Sequence, residues 1–184
     1  MDSNRRRLML IGSVVSMVGA AVPAWAASAA DLARDAQAAL HKLEAAVPAA
    51  KALGPQARAI LVFPKVTKAG LGVGGQFGEG AMIQGGKVTG YYSTAGASFG
   101  LQAGAQTFGY AMFFMNDAAL KQLDKAEGFE VGVGPSVVVV DEGMAKQTTT
   151  TTMKDDIYAF IFGQKGLMAG LGVQGNKITR IHPK

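Results

Sequence analysis

The chain has no cysteine, only two histidines and a single tryptophan in 184 residues. Without cysteine there is no disulfide, thiol nucleophile, thiolate zinc site or lipobox thiol for a covalent lipid anchor. Packing alone must hold the fold. His41 and His182 are too far apart to give a metal-ligand spacing. Charge is also sparse, at 17% of residues, with a net +5. That excess is scattered, whereas nucleic-acid binding calls for clustered Lys and Arg. The longest uncharged apolar run, Leu8 to Val22, falls short of the roughly 20 residues that span a bilayer.

That run has the marks of an export signal. Arg5-Arg6-Arg7 precede it and Ala24-Trp25-Ala26 follows it, a basic n-region, an apolar h-region and an A-x-A cleavage site. Arg5-Arg6 also resembles a twin-arginine signal, which leaves the export route open. The expected organisation is a cleaved segment 1–26 and one domain over 27–184. Removing Asp2 and Arg5 to Arg7 leaves 15 basic against 12 acidic residues, a charge of +3. A mildly basic exported chain is suited to an anionic membrane surface.

What the chain has in abundance is glycine, 25 residues. Ala69-Gly70-Leu71-Gly72-Val73-Gly74-Gly75 returns as Ala169-Gly170-Leu171-Gly172-Val173-Gln174-Gly175. Successive strand residues point to opposite faces, so each copy reads as a strand with one apolar and one nearly bare face. A bare face admits close backbone approach and sharp coiling. On this reading Leu71, Val73, Leu171 and Val173 are buried, and Gly72→Val or Gly172→Val overpacks.

Other elements follow from period and punctuation. Asp31 to Val47 carries a helical stripe of Leu32, Ala36, Ala39, Leu40, Leu43 and Val47, capped by Ser28 or Asp31. Pro48 opens a short helix to about Leu53, and Pro55 to Ala59 can form a turn. Ile60 to Phe63 reads as a strand closed by Pro64. Ala69 to Ile83 alternates, Gly85-Gly86 marks a hairpin, Lys87 to Tyr92 returns, and Thr94 to Phe108 alternates again. Asn116 caps a helix over Asp117 to Lys125, which Gly128 stops. Strands follow at Phe129 to Val140, Ile157 to Phe162, Leu167 to Val173 and Lys177 to Ile181. The expected class is α+β, mainly antiparallel β, with a glycine-rich, strongly coiled sheet, an N-terminal helical segment and one short middle helix.

Two motifs imitate enzymes. Gly70-x-Gly72-x-x-Gly75 and Gly170-x-Gly172-x-x-Gly175 match the dinucleotide fingerprint, but neither is followed by the helix whose N-terminus holds pyrophosphate. Gly96-Ala97-Ser98-Phe99-Gly100 matches a nucleophile elbow, with His182 downstream. The elbow needs a strand-to-helix turn, and alternation runs straight through this one. The acidic pairs Asp141-Glu142 and Asp155-Asp156 read as solvated loop residues. No catalysis, cofactor or metal is expected.

The basic residues offer a surface instead. Arg58, Lys65 and Lys68 surround the first glycine copy, and Lys165, Lys177 and Arg180 surround the second. Neighbouring copies would merge them into one basic rim.

Four stretches in order resemble the SYLF domain family: Ile60-Leu61-Val62-Phe63-Pro64-Lys65-Val66 through Gly80; Phe99-Gly100-Leu101-Gln102-Ala103-Gly104-Ala105-Gln106; Gly132-Val133-Gly134-Pro135; and Asp156-Ile157-Tyr158-Ala159-Phe160 through Val173. They span about residues 30 to 182. The resemblance implies phospholipid binding without catalysis, with contact near the helix from Asp31 and Arg58, Lys65 and Lys68. It leads to an exported protein of the periplasm or cell surface, peripheral to an anionic phospholipid membrane. The alternatives are a small outer-membrane β-barrel, favoured by alternating strands, and a serine hydrolase using Ser98 and His182.

Mass spectrometry of protein recovered from an expressing cell's exterior is expected to show Ala27 as the first residue. An intact Met1 or Asp2 terminus would contradict the signal reading.

Overall fold

The computed structural model describes residues 27–125, 127–131, 134, 136–140, 155–166 and 175–184, with the side chains of 98–103 and 166 set aside. The chain starts with α1 (Ala29–Ala46) and α2 (Pro48–Leu53). Ser28 caps α1 by accepting from the Asp31 amide at 3.1 Å and donating to the Asp31 carboxylate at 2.7 Å. Two very long strands follow, β1 (Ala59–Gln84) and β2 (Lys87–Phe114), joined by a turn at Gly85 and Gly86, both at positive φ. The short α3 (Asp117–Leu120) comes next, capped by Asn116 Oδ1 on the Ala119 amide at 2.8 Å. A 3-10 turn, Lys121–Asp124, completes that helical segment. The remaining strands are β3 (Phe129–Glu130), β4 (Val137–Val140), β5 (Ile157–Gly166) and β6 (Lys177–Ile181).

These six strands form one sheet in the order β3-β6-β2-β5-β4, with β1 paired to β2. Only β4 and β5 run parallel. The first part of β2 pairs with β6, from Tyr91↔Ile181 to Ala95↔Lys177, and the last part pairs with β5, from Gln106↔Gly166 to Phe114↔Ile157. The class is α+β with a mainly antiparallel, strongly curled sheet.

The β1–β2 hairpin is bent double. A Cβ on Gly70 would collide with Gly74 Cα and come within 2.8 Å of the Val73 carbonyl oxygen, and Gly72 sits at φ +72°. The opposing Gly104 is also at positive φ. Beyond this bend the chain returns over its own first half. A Cβ on Gly78 would lie 2.7 Å from Val66 Cγ2 and 2.9 Å from the Lys65 carbonyl oxygen. One on Gly80 would overlap the Val62 carbonyl oxygen. Only residues without a side chain permit that approach.

The bend gives the sheet two faces. The inner face buries Leu61, Phe63, Val66, Met82, Tyr92, Phe108, Tyr110, Met112 and Phe114 together with Ile161, Phe129 and Ile178. The outer face carries Ile60, Val62, Ala81, Ile83, Ala111, Phe113 and Phe160, sealed by Ala36, Leu40 and Leu43 of α1 and Leu53 of α2. Each fully buried large apolar side chain contributes about 1.5–3 kcal/mol.

Several expectations need correction. Pro64 does not end a strand. A register shift between Phe63 and Val66 places it in a bulge, and β1 pairs only with β2 among the described residues. The missing N–H is tolerated at such a place. The stretch Phe129 to Val140 is two strands rather than one. Leu71 and Val73 are not buried but 83% and 63% exposed. They lie on the same face as Ala81 and Ile83, but the helices stop short of them. Gly72 has open space where a Cβ would stand, so a side chain there strains a left-handed backbone rather than overpacking. Leu171, Gly172 and Val173 lie outside the described residues.

Gly80→Ala is expected to lower stability by about 1–3 kcal/mol through overpacking, whereas Leu71→Ala should leave it nearly unchanged. Denaturant midpoints of the two variants check this. Equal midpoints would show that the arms do not close on each other.

Candidate functional site

Cross-strand partners in an antiparallel sheet share a face, so register alone sorts the basic residues. Thr67 pairs with Thr107, which pairs with Lys165 on its other side. Phe77 pairs with Ala95, which pairs with Lys177. Both rows lie on the outer face, and Thr67, Lys165, Phe77, Ala95 and Lys177 are all exposed. Lys65, also exposed, precedes Thr67 on that face of β1. Three lysines therefore flank the bend, two beside one arm and one beside the other. Glu130, exposed on β3, is the register partner of Lys177 and offsets part of its charge.

Between these lysines the described outer-face residues are apolar. Among the described residues, Leu71, Val73 and Phe77 are the exposed large hydrophobics, with Phe77 at 55%. Ala69, Ala95, Ala97 and Ala105 are exposed around them. The sequence pattern grouped Leu71, Val73 and Phe77 correctly. The period shows which residues share a face but not whether anything covers that face.

The other three basic residues go elsewhere. Lys68 points inward opposite Gln106 and is only 6% exposed. Arg58 lies at the far end of β1, where its side chain and that of Asp117 form an exposed ion pair at 3.6 Å, of the sort worth little. Arg180 is register partner to inward-facing Tyr92 and lines a cleft of about 170 Å³ with Asp124, Gln84 and Thr89. A single rim of all six is therefore not formed. Lys65, Lys165 and Lys177 share one face. The second glycine copy, apart from Gly175, lies outside the described residues.

Inside the same end of the sheet lies a polar group that sequence reasoning missed. The Tyr110 hydroxyl donates to Thr94 Oγ1 at 2.7 Å, and Gln76 Nε2 donates to Asn176 Oδ1. Thr94, Gln106 and Asn176 are all buried. Burial pushes the Tyr110 phenol far above its ordinary value, and its bonds to Thr94 and Asn176 only partly oppose that. The inward Gln76 and Gln106 were readable from alternation; the hydroxyl pairing across sixteen residues depends on the bend.

The enzyme-like motifs sit in the wrong setting. Gly96 to Gly100 falls inside β2, with Ser98 opposite Gly74, so there is no strand-to-helix elbow. Gly70 to Gly75 lies inside β1 with no helix after it. His182 is exposed past the end of β6. Asp156 is solvent-accessible and is also a structural acceptor. It takes bonds from Asn116 Nδ2 at 2.7 Å and the Ser136 amide at 3.0 Å, which hold its carboxyl below the usual range. Asp141 and Glu142 lie outside the described residues. No three acidic or histidine side chains converge to hold a metal among the described residues.

Residues 95–182 match the family model Ysc84, described as Las17-binding protein actin regulator, which is the SYLF family. The match spans just under half of the chain. It takes in the last three of the four motif stretches and begins after the first. No curated protein matches the chain.

Tyr110 gives the inner polar group a pH signature. Its folded-state pKa lies above the unfolded value of about 10, so its contribution is complete below about pH 10 and is lost as pH rises further. This group leaves denaturant midpoints unchanged from neutral pH up to that value and lowers them beyond it. Tyr110→Phe should lower the neutral midpoint by about 1–3 kcal/mol, since buried partners lose their bond, and should flatten the alkaline slope. An unchanged slope would place the Tyr110 hydroxyl in water.

Proposed function

We propose that this chain is a non-catalytic, peripheral phospholipid-binding protein that acts at an anionic membrane surface after export to the periplasm or cell surface. The observation that carries this reading is the grouping of Lys65, Lys165 and Lys177 on one outer face around exposed apolar residues. Cations near an anionic surface contribute about 1 kcal/mol each. Three of them hold the chain only weakly, so apolar contact must add to them. The SYLF-type match over 95–182 supports the same class of partner, and the signal-like segment Arg5 to Ala26 supports the location.

A membrane-spanning barrel is less well supported. Such a barrel carries an apolar band around its whole lipid-facing surface, whereas α1 and α2 occupy the outer face here at Ile60, Val62 and Phe113. The matched family's description names Las17 binding and actin regulation. An exported chain would not meet an intracellular filament, so we do not carry that role over.

Binding to vesicles of phosphatidylcholine with phosphatidylglycerol should exceed binding to phosphatidylcholine alone. It should weaken with salt, because exposed charges are screened over about 10 Å at 0.1 M. Replacing Lys65, Lys165 and Lys177 with glutamine should cost up to about 1 kcal/mol per cation. The same change at Arg58 and Arg180, away from this face, should cost less. Salt-insensitive binding, or equal losses from both sets, would overturn the electrostatic face.

A further inference from the structure

We infer that the bend of the β1–β2 hairpin is the element that enters the bilayer, seating Leu71, Val73 and Phe77 at the headgroup–acyl boundary while the N-terminal helices stay in water. This rests on the phospholipid-binding reading and names the part of the molecule that performs it.

The outer face of the sheet carries two apolar areas, separated by the polar row Glu79, Ser93 and Thr179, and they are treated in two ways. Away from the bend, α1 and α2 cover Ile60, Val62 and Phe113 at the open end of the hairpin and Ala81 and Ile83 beside its turn. Beyond Glu79 the same face carries Phe77, Val73 and Leu71 at the bend, and these are the exposed large hydrophobics among the described residues. Exposed apolar side chains gathered in one place mark a contact surface. Among the described residues, exposed alanines at 69, 95, 97 and 105 lie around them, and the first polar row beyond Phe77 is Glu79 with Ser93.

The charge around the bend selects the occupant. Lys65 and Lys165 stand beside one arm and Lys177 beside the other. An apolar tip collared by cations complements a surface whose anionic headgroups overlie hydrocarbon. A second copy of this chain would bring the same cations against these, a repulsive match.

The helix that the resemblance favoured is already used. Leu32, Ala36, Ala39, Leu40 and Leu43 make up the apolar stripe of α1, and all are buried. To insert, α1 would have to leave the sheet and expose Val62 and Phe113, both fully buried. The bend needs no rearrangement. Its strand backbone is paired across most of its length, and the inner polar residues Gln76, Thr94 and Gln106 are turned away from the lipid side.

The test uses the purified chain and vesicles of phosphatidylcholine with phosphatidylglycerol. Leu71→Asp with Val73→Asp should keep the parent's denaturant midpoint and lose at least about tenfold in vesicle affinity, equivalent to about 1.4 kcal/mol. Leu71→Trp, in a Trp25→Phe background, should shift its emission to the blue and be quenched by brominated acyl chains. Gln37→Trp on the solvent side of α1, in the same background, should do neither. If the parent binds but the Asp pair binds as well and Leu71→Trp stays unquenched, the bend is not the insertion element and the lipid reading stands. If the parent binds neither neutral nor anionic vesicles, the lipid reading fails and this inference with it. A parent that is dimeric in solution, and monomeric as the Asp pair, would instead assign the bend to a second copy.

Discussion

Everything in this fold depends on one steric allowance, the absence of a Cβ at Gly78 and Gly80. Those positions cross the chain's own first half, against Val66, the Lys65 carbonyl and the Val62 carbonyl. Any side chain there would hold the arms of the hairpin apart. Closing them creates the inner core around Phe63, Tyr110 and Met112, and it brings Thr94 within bonding distance of Tyr110. It also produces an outer face, and so the question of what covers that face.

The two ends of the hairpin answer it in opposite ways. Near the turn at Gly85-Gly86 the outside is sealed by α1 and α2 and the inside is apolar. Near the bend the outside is bare Leu71, Val73 and Phe77, while the inside holds Lys68, Gln76, Gln106 and Asn176. A chain folded only for water would place these sets the other way round. Polar inside and apolar outside is the arrangement of a strand that meets lipid. Here it is confined to one end, which fits a protein that touches a bilayer without crossing it.

Much of this was legible in the residues. The stripe of Leu32 to Leu43 is the buried face of α1, Asn116 caps α3, and Gly85-Gly86 forms the turn. Alternation correctly separated Leu71, Val73 and Phe77 from Gln76, Gly78 and Gly80. It failed to say which set was inside, because a period of two carries no information about what packs on each face. Proximity in sequence likewise grouped Arg58, Lys65 and Lys68, although parity turns Lys68 inward and distance along β1 takes Arg58 to the other end. Lys165 and Lys177 become neighbours of the bend only through pairing with β2, a long-range contact. Pro64 misled for a local reason, since a bulge on a strand that is paired on one side among the described residues has room for a residue with no N–H.

The central claim is that the bend, and not the helices, meets the hydrocarbon. A chain without native cysteine allows a single nitroxide label to be placed through Val73→Cys, with a second variant, Gln56→Cys, as reference. The direct measurement is the label's relative accessibility to oxygen, which concentrates in hydrocarbon, and to a water-soluble nickel chelate, on anionic vesicles. The account requires the Val73 label to gain oxygen accessibility and lose the chelate, while the Gln56 label stays as it is in water. A Val73 label that remains open to the chelate on vesicles that bind the protein would contradict it.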